Sequence, residues 1–145
     1  MHYYITGGDA VTNTIKTYGF ALESVACLVY TTQIAGTIPL QRLYKTTTGD
    51  HFYTADPNEA LNAIAQYGYA EEGVACYVYG SQQENTIPLY RRYNAHTGEH
   101  FYTASLDEAQ AVLKEGFVDE GTACYVYGLG QAPGNAVPFY RLVHS

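Results

Sequence analysis

GDHFYTADPNEA, residues 49–60, returns almost letter for letter as GEHFYTASLDEA at residues 98–109. Each copy reads as the close of a hairpin turn, a short aromatic strand and the opening of a helix. Gly49 and Gly98 supply the turn, and HFYT is rich in strand-forming residues. Asp56 and Pro57 suit a helix N-cap and first helical position, and Glu59 stands three residues after Asp56, as in a capping box. Leu61 and Ile64 share a face of this helix, and Gly68 stops it. In the later copy Ser105, Glu108 and Gly116 take the corresponding places.

A repeat sets a period, and a period decides which folds are available. One step of about 49 residues back from His51 lands on His2, which opens HYYIT against HFYTA. Cys27, Cys76 and Cys124 keep the same register, as do Glu23, Glu72 and Glu120, Pro39, Pro88 and Pro138, and Arg42, Arg91 and Arg141. The chain is therefore three units of about 2–50, 51–99 and 100–145, the third one residue shorter before Gly116 and two longer in GLGQAPGNAVP.

Within a unit, IPLYRRY (87–93) reads as a strand, NAHTGE as a polar loop, HFYT as the returning strand and GVACYVYG as a third strand after the helix. The first unit lacks a preceding proline strand, while the last ends on a spare VPFYRLVHS. Pairing the C-terminal strand with the N-terminal one completes the missing hairpin and removes a sheet edge. The expected fold is β-rich α+β: one domain over 1–145, a closed pseudo-threefold ring, three-bladed and propeller-like, with three strands and one short helix per unit. A β-trefoil is the alternative, and its all-strand unit fits the helical segment less well.

The 145 residues, 47% hydrophobic and 14% charged, have the balance of a globular protein. Seven Lys and Arg against 14 Asp and Glu leave a net charge of -7, which repels phosphate backbones and anionic lipid heads, so no nucleic-acid partner is expected. No apolar run approaches the ~20 residues of a membrane helix, so no membrane insertion is expected either. No basic and apolar leader pattern opens the sequence, so a secretion signal is expected to be either absent or already removed. The three Cys lie in VACLVY, VACYVY and TACYVY, contexts of buried free thiols. Tyrosine is the outlier, with 16 copies and no Trp.

Alternation puts Phe52 and Thr54 on one face of HFYT and His51 and Tyr53 on the other; Phe101 and Thr103 are expected to face inward, away from the face of His100 and Tyr102. Arg42, Arg91 and Arg141 sit among apolar neighbours, and the recurrent Glu23, Glu72 and Glu120 are their expected partners, without the sequence deciding which reaches which. These pairs fix the units or hold a ligand. His2, His51 and His100 read as hydrogen-bonding or ligand-contacting residues. No HExxH, CxxC or GxSxG motif accompanies them, so no metal, cofactor or catalytic centre is expected.

A tyrosine ring offers a flat apolar face and a hydroxyl, a combination that suits a sugar ring on a partly wet surface. Tyr4, Tyr53 and Tyr102, with Tyr90 and Tyr140, are the aromatic candidates; Gln41 stands at the latter pair's place in the first copy. The expected function is a non-catalytic carbohydrate-binding module or lectin with up to three similar sites, its partners glycans or cell-wall polysaccharide engaged multivalently. A protein-interaction or structural scaffold is the alternative.

IPLYRRYNAHTGEHFYTASLDEA, IPLQRLYKTTTGDHFYTADPNEA, YAEEGVACYVY and FVDEGTACYVY together resemble a repeat family of largely undefined function, typified by a PLYRLYN…DHFYT…E…GY…EGxA pattern, over essentially the whole chain. The resemblance implies an accessory module of secreted bacterial or fungal proteins, hence an extracellular setting and surface or glycan binding without chemistry. The first copy departs from the pattern in HYYIT, in Gly7 and Gly8, and in Gln41, so of three sites its own is expected to be weaker or lost.

Overall fold

A computed structural model describes residues 1–144. The chain runs β1 (His2–Ile5), α1 (Gly8–Tyr18), β2 (Ala21–Val29), β3 (Ile38–Lys45), β4 (Asp50–Thr54), α2 (Pro57–Tyr67), β5 (Ala70–Val78), β6 (Thr86–Asn94), β7 (Glu99–Thr103), α3 (Leu106–Ala111) with a 3₁₀ turn (Val112–Glu115), β8 (Val118–Tyr127) and β9 (Val137–Val143). The fold is β-rich with three helices. Its strands form a six-stranded sheet, β1-β9-β2-β8-β6-β7, and a three-stranded sheet, β4-β3-β5.

A single pair, Leu28 with Tyr127, joins β2 to β8, so the larger sheet is two antiparallel triplets that meet at one point. Isolated bridges from Tyr30 to Tyr77 and from Tyr79 to Tyr125 tie the three-stranded sheet to β2 and β8. In every triplet the proline-bearing strand is central. β1 pairs with β9 from His2 opposite Val143 to Ile5 opposite Tyr140, so the two ends of the chain complete one triplet together.

A central strand is a poor place for proline, which has no N–H to donate. Here Pro39 and Pro88 lie beyond the end of the short edge strand, whose pairing starts at Gln41 opposite Thr54 and at Tyr90 opposite Thr103. Each proline therefore has a strand neighbour on one side only. Further along, the register skips Glu72 and Gly73 opposite Arg42, Glu120 and Gly121 opposite Arg91, and Glu23 beside Arg141. Such bulges re-aim side chains, and they bring each Glu onto its Arg.

The helix expected over residues 57–67 forms as read. Asp56 Oδ1 accepts from the Asn58 and Glu59 amides, Pro57 opens the first turn, and Gly68 closes it in the left-handed conformation. Two details differ. Its buried face carries Ala60 and Ala63, packed with Leu43, Phe52 and Tyr69, while Leu61 and Ile64 are exposed. The third helix, one residue shorter between Ser105 and Gly116, absorbs the deletion by tightening its last turn to 3₁₀, which needs 3.0 rather than 3.6 residues. The first helix starts at Gly7 with φ 87°, a conformation only glycine adopts easily, and so has no side-chain cap.

The core repeats in layers: Cys27, Cys76 and Cys124; Val29, Val78 and Val126; Leu40, Leu89 and Phe139; Tyr4, Tyr53 and Tyr102. The tyrosine layer corrects the expectation that these rings contact a ligand, because they are 0%, 1% and 1% exposed. β1, β4 and β7 are edge strands whose outer backbone groups need partners in a dry core. The phenols supply them. Tyr53 Oη accepts from the Tyr4 amide at 2.8 Å and donates to the Tyr4 carbonyl at 2.9 Å. Tyr102 Oη does the same for Tyr53, at 2.7 and 2.9 Å, and Tyr4 Oη for Tyr102, at 2.9 and 2.8 Å. The rings meet edge to face at 5.3–5.4 Å.

Candidate functional site

With the tyrosine layer inside, the candidate site is sought at the boundaries between triplets. Two similar clefts lie there. The first, about 380 Å³, is walled by Tyr3, Tyr18 and Phe20 of the first sequence copy and by Arg42, Tyr44, His51 and Glu72 of the second triplet. The second, about 410 Å³, has Phe52, Tyr67 and Tyr69 facing Arg91, Tyr93, His100 and Glu120. The same positions, one repeat apart, build both. At the boundary between the third copy and the first, the positions of Tyr67 and Tyr93 are held by Glu115 and Val143.

The arginines organise these boundaries. Arg42 Nε donates to Glu72 at 3.2 Å, Arg91 Nε to Glu120 at 3.0 Å and Arg141 Nε to Glu23 at 2.6 Å, which settles the pairing that the sequence left open. Each guanidinium also lies 4.9–5.0 Å over an aromatic ring of the neighbouring triplet's edge strand: Tyr3, Phe52 and Phe101. The remaining two nitrogens of Arg91 bind Glu59 in a fork, both contacts 2.8 Å, and those of Arg141 bind Glu108 at 2.8 and 2.9 Å. Burial opposes the charge on Arg91 and Arg141, but their carboxylate partners outweigh it and raise both above the usual arginine range.

Glu59 and Glu108 escaped the sequence reading because a capping box explains a Glu at that spacing. The box is only half formed: Glu59 accepts from Thr54 Oγ1 and from Arg91, and the Asp56 amide donates to Thr54 Oγ1 instead. Tyr18 and Tyr67, both next to a helix-ending glycine, were also missed. Their recurrence as TYG and QYG was the available signal.

The three histidines do not converge. His100 Nδ1 bonds Asp50 at 2.5 Å and its Nε2 lies 3.3 Å from Glu120; Tyr69 Oη donates to the same Asp50. Burial lowers His100, but hydrogen bonds to Asp50 and Glu120 prevail and leave it above its usual value. His2 bonds Glu99 at 2.6 Å and Glu23 at 3.1 Å. His51 is different, because the partner position that Asp50 fills for His100 and Glu99 fills for His2 is held, for His51, by Met1. Its Nε2 is 3.6 Å from Glu72 and its buried Nδ1 has no partner. Burial, with the Arg42 charge beside it, drops His51 to about 4.

Of the remaining candidates, Tyr90 and Tyr140 are partly exposed but line neither cleft. Cys27, Cys76 and Cys124 are buried thiols pushed upward by desolvation, Cys124 to about 12. Among the described residues no group of three His, Cys, Asp or Glu is placed to hold a metal ion, and no helix is long and apolar enough to cross a membrane.

A family model described as a domain of unknown function, DUF5648, matches residues 1–127 and again 78–145. The chain belongs to the DUF5648 family. No curated protein matches it, and no solved structure does. The DUF5648 description carries no activity, so the clefts themselves are the basis for a functional reading.

Proposed function

We propose that this DUF5648 protein is a non-catalytic carbohydrate-binding module, a lectin, whose binding sites are the two clefts between successive triplets. One observation carries the reading: each cleft sets a largely exposed tyrosine, Tyr18 at 63% or Tyr67 at 59%, beside a second tyrosine, Tyr44 or Tyr93, and an Arg–Glu–His group. An exposed ring is a stacking platform for the apolar face of a pyranose, and charged groups at its side suit hydroxyls. Two alike clefts on one chain favour multivalent attachment to a repeating polymer. His, Arg and Glu there are engaged with one another, an arrangement for holding shape rather than for transferring protons.

The three strand triplets with their linking bridges are best understood as a closed, propeller-like ring of three units, which would hold the clefts at fixed separation. The accessory-module resemblance adds a secreted setting and microbial or cell-wall glycans as the first candidates. A glycan array spanning microbial, plant and animal structures, with calorimetry on each hit, tests the reading. Binding weakened by Tyr18→Ala or Tyr67→Ala is expected; silence across the array overturns it.

A further inference from the structure

The chain contains its own comparison series for one site. In the second and third helices the residue at the third helical position is a glutamate, Glu59 or Glu108, and its carboxylate fills the fork of Arg91 or Arg141. In the first helix that position is Ala10. Arg42 keeps its Nε bond to Glu72, but among the described residues its two terminal nitrogens have no hydrogen-bond partner. Its side chain is 18% exposed, against 12% for Arg91 and 8% for Arg141. Four of its five N–H donors therefore lack a protein acceptor, and each gains from a carboxylate oxygen that arrives.

That open fork lines the first cleft, about 380 Å³, with Tyr3 beneath it and Tyr18 and Tyr44 beside it. We propose that the first cleft binds a ligand through a carboxylate seated on the open fork of Arg42, where Glu59 and Glu108 sit in the other two copies. Resting on the glycan reading of the same cleft, the ligand class is a uronic acid residue: a pyranose whose carboxylate takes the fork and whose ring lies against the tyrosines. Planar two-point pairing of a guanidinium with a carboxylate gives orientation as well as affinity. The second cleft is closed to this ligand because Glu59 already occupies its fork, so neutral sugar is its class.

Calorimetry with glucuronate, glucose and acetate as probes tests this on the wild type and two variants. Ala10→Glu places the missing internal carboxylate on an exposed helical position, where folding is not at risk. Glu59→Ala opens the second fork. Expected are glucuronate binding at one site per chain, about tenfold or more tighter than glucose, its loss in Ala10→Glu, and a second site in Glu59→Ala. Glucuronate and glucose binding alike, with no effect of Ala10→Glu, overturns the carboxylate proposal and leaves the glycan reading standing. Acetate matching glucuronate, with both lost in Ala10→Glu, supports the anion site and overturns the glycan reading of the cleft. No binding of glucuronate by the wild type overturns the proposal outright.

Discussion

The hydroxyl of Tyr53 stands in for a strand, accepting the backbone amide of Tyr4 at 2.8 Å and donating to its carbonyl at 2.9 Å. Three such phenols pass the same role around the centre, and each satisfies one donor and one acceptor that no water reaches. Removing one hydroxyl strands both groups at once. Tyr4→Phe, Tyr53→Phe and Tyr102→Phe should each destabilise the fold by about 3 kcal/mol in chemical denaturation, with similar values at all three positions. A cost below about 1 kcal/mol at any of them would mean that the layer packs but does not bond.

The arginines make a graded series. Arg91 neutralises Glu59 and Glu120, while Arg42 serves Glu72 alone. Arg91→Met leaves two carboxylates without their cation and Arg42→Met leaves one. Glu59 is 36% exposed and Glu120 28%, so solvent softens the penalty, and Arg91→Met should cost about 2 kcal/mol against about 1 for Arg42→Met. Urea midpoints of the two variants compare them directly.

The two histidines should part company on titration. His51 sits at about 4 against a usual 6.5, so it stays neutral while the unfolded chain takes up a proton. Its contribution is present above about 6.5 and is lost as pH falls through the 6.5-to-4 window. His100 has the opposite sign: its contribution is full below 6.5 and fades as pH rises through its elevated folded value. Imidazole NMR shifts against pH will separate the two, and a single common midpoint near 6.5 would contradict both environments.

Burial also predicts silence from the thiols. Cys27 is 0% exposed, Cys76 and Cys124 2% each, and all three are pushed toward the protonated form. A thiol reagent should label the native protein negligibly and label all three after denaturation. Rapid native labelling would show a looser core than the layers describe.

Much of this architecture was legible because local chemistry is one-to-one. Asp56-Pro57 with Gly68 marks a helix, the Gly49 and Gly98 turns mark hairpins, and a spare C-terminal strand with a bare N-terminal one forces their pairing. The inward face of HFYT was not legible. Alternation assigns two faces, but β4 is buried on both, with Phe52 5%, Tyr53 1% and Thr54 2% exposed, so the pattern does not say which face is central. The expected inward pair, Phe101 and Thr103, is buried at a triplet boundary while Tyr102 holds the centre. Glu59 was hidden for a different reason: its partner Arg91 belongs to another triplet, and no local signature reports a contact across that distance in sequence. Only the alanine at position 10, set against Glu59 and Glu108, carried the hint.

What enters the clefts decides their role. A crystal structure of the protein saturated with a glucuronate-terminated disaccharide would show it. The predicted result is a carboxylate across the terminal nitrogens of Arg42 and a sugar ring against Tyr18 or Tyr44. Sugar bound away from both clefts, or clefts empty at saturation, would contradict it.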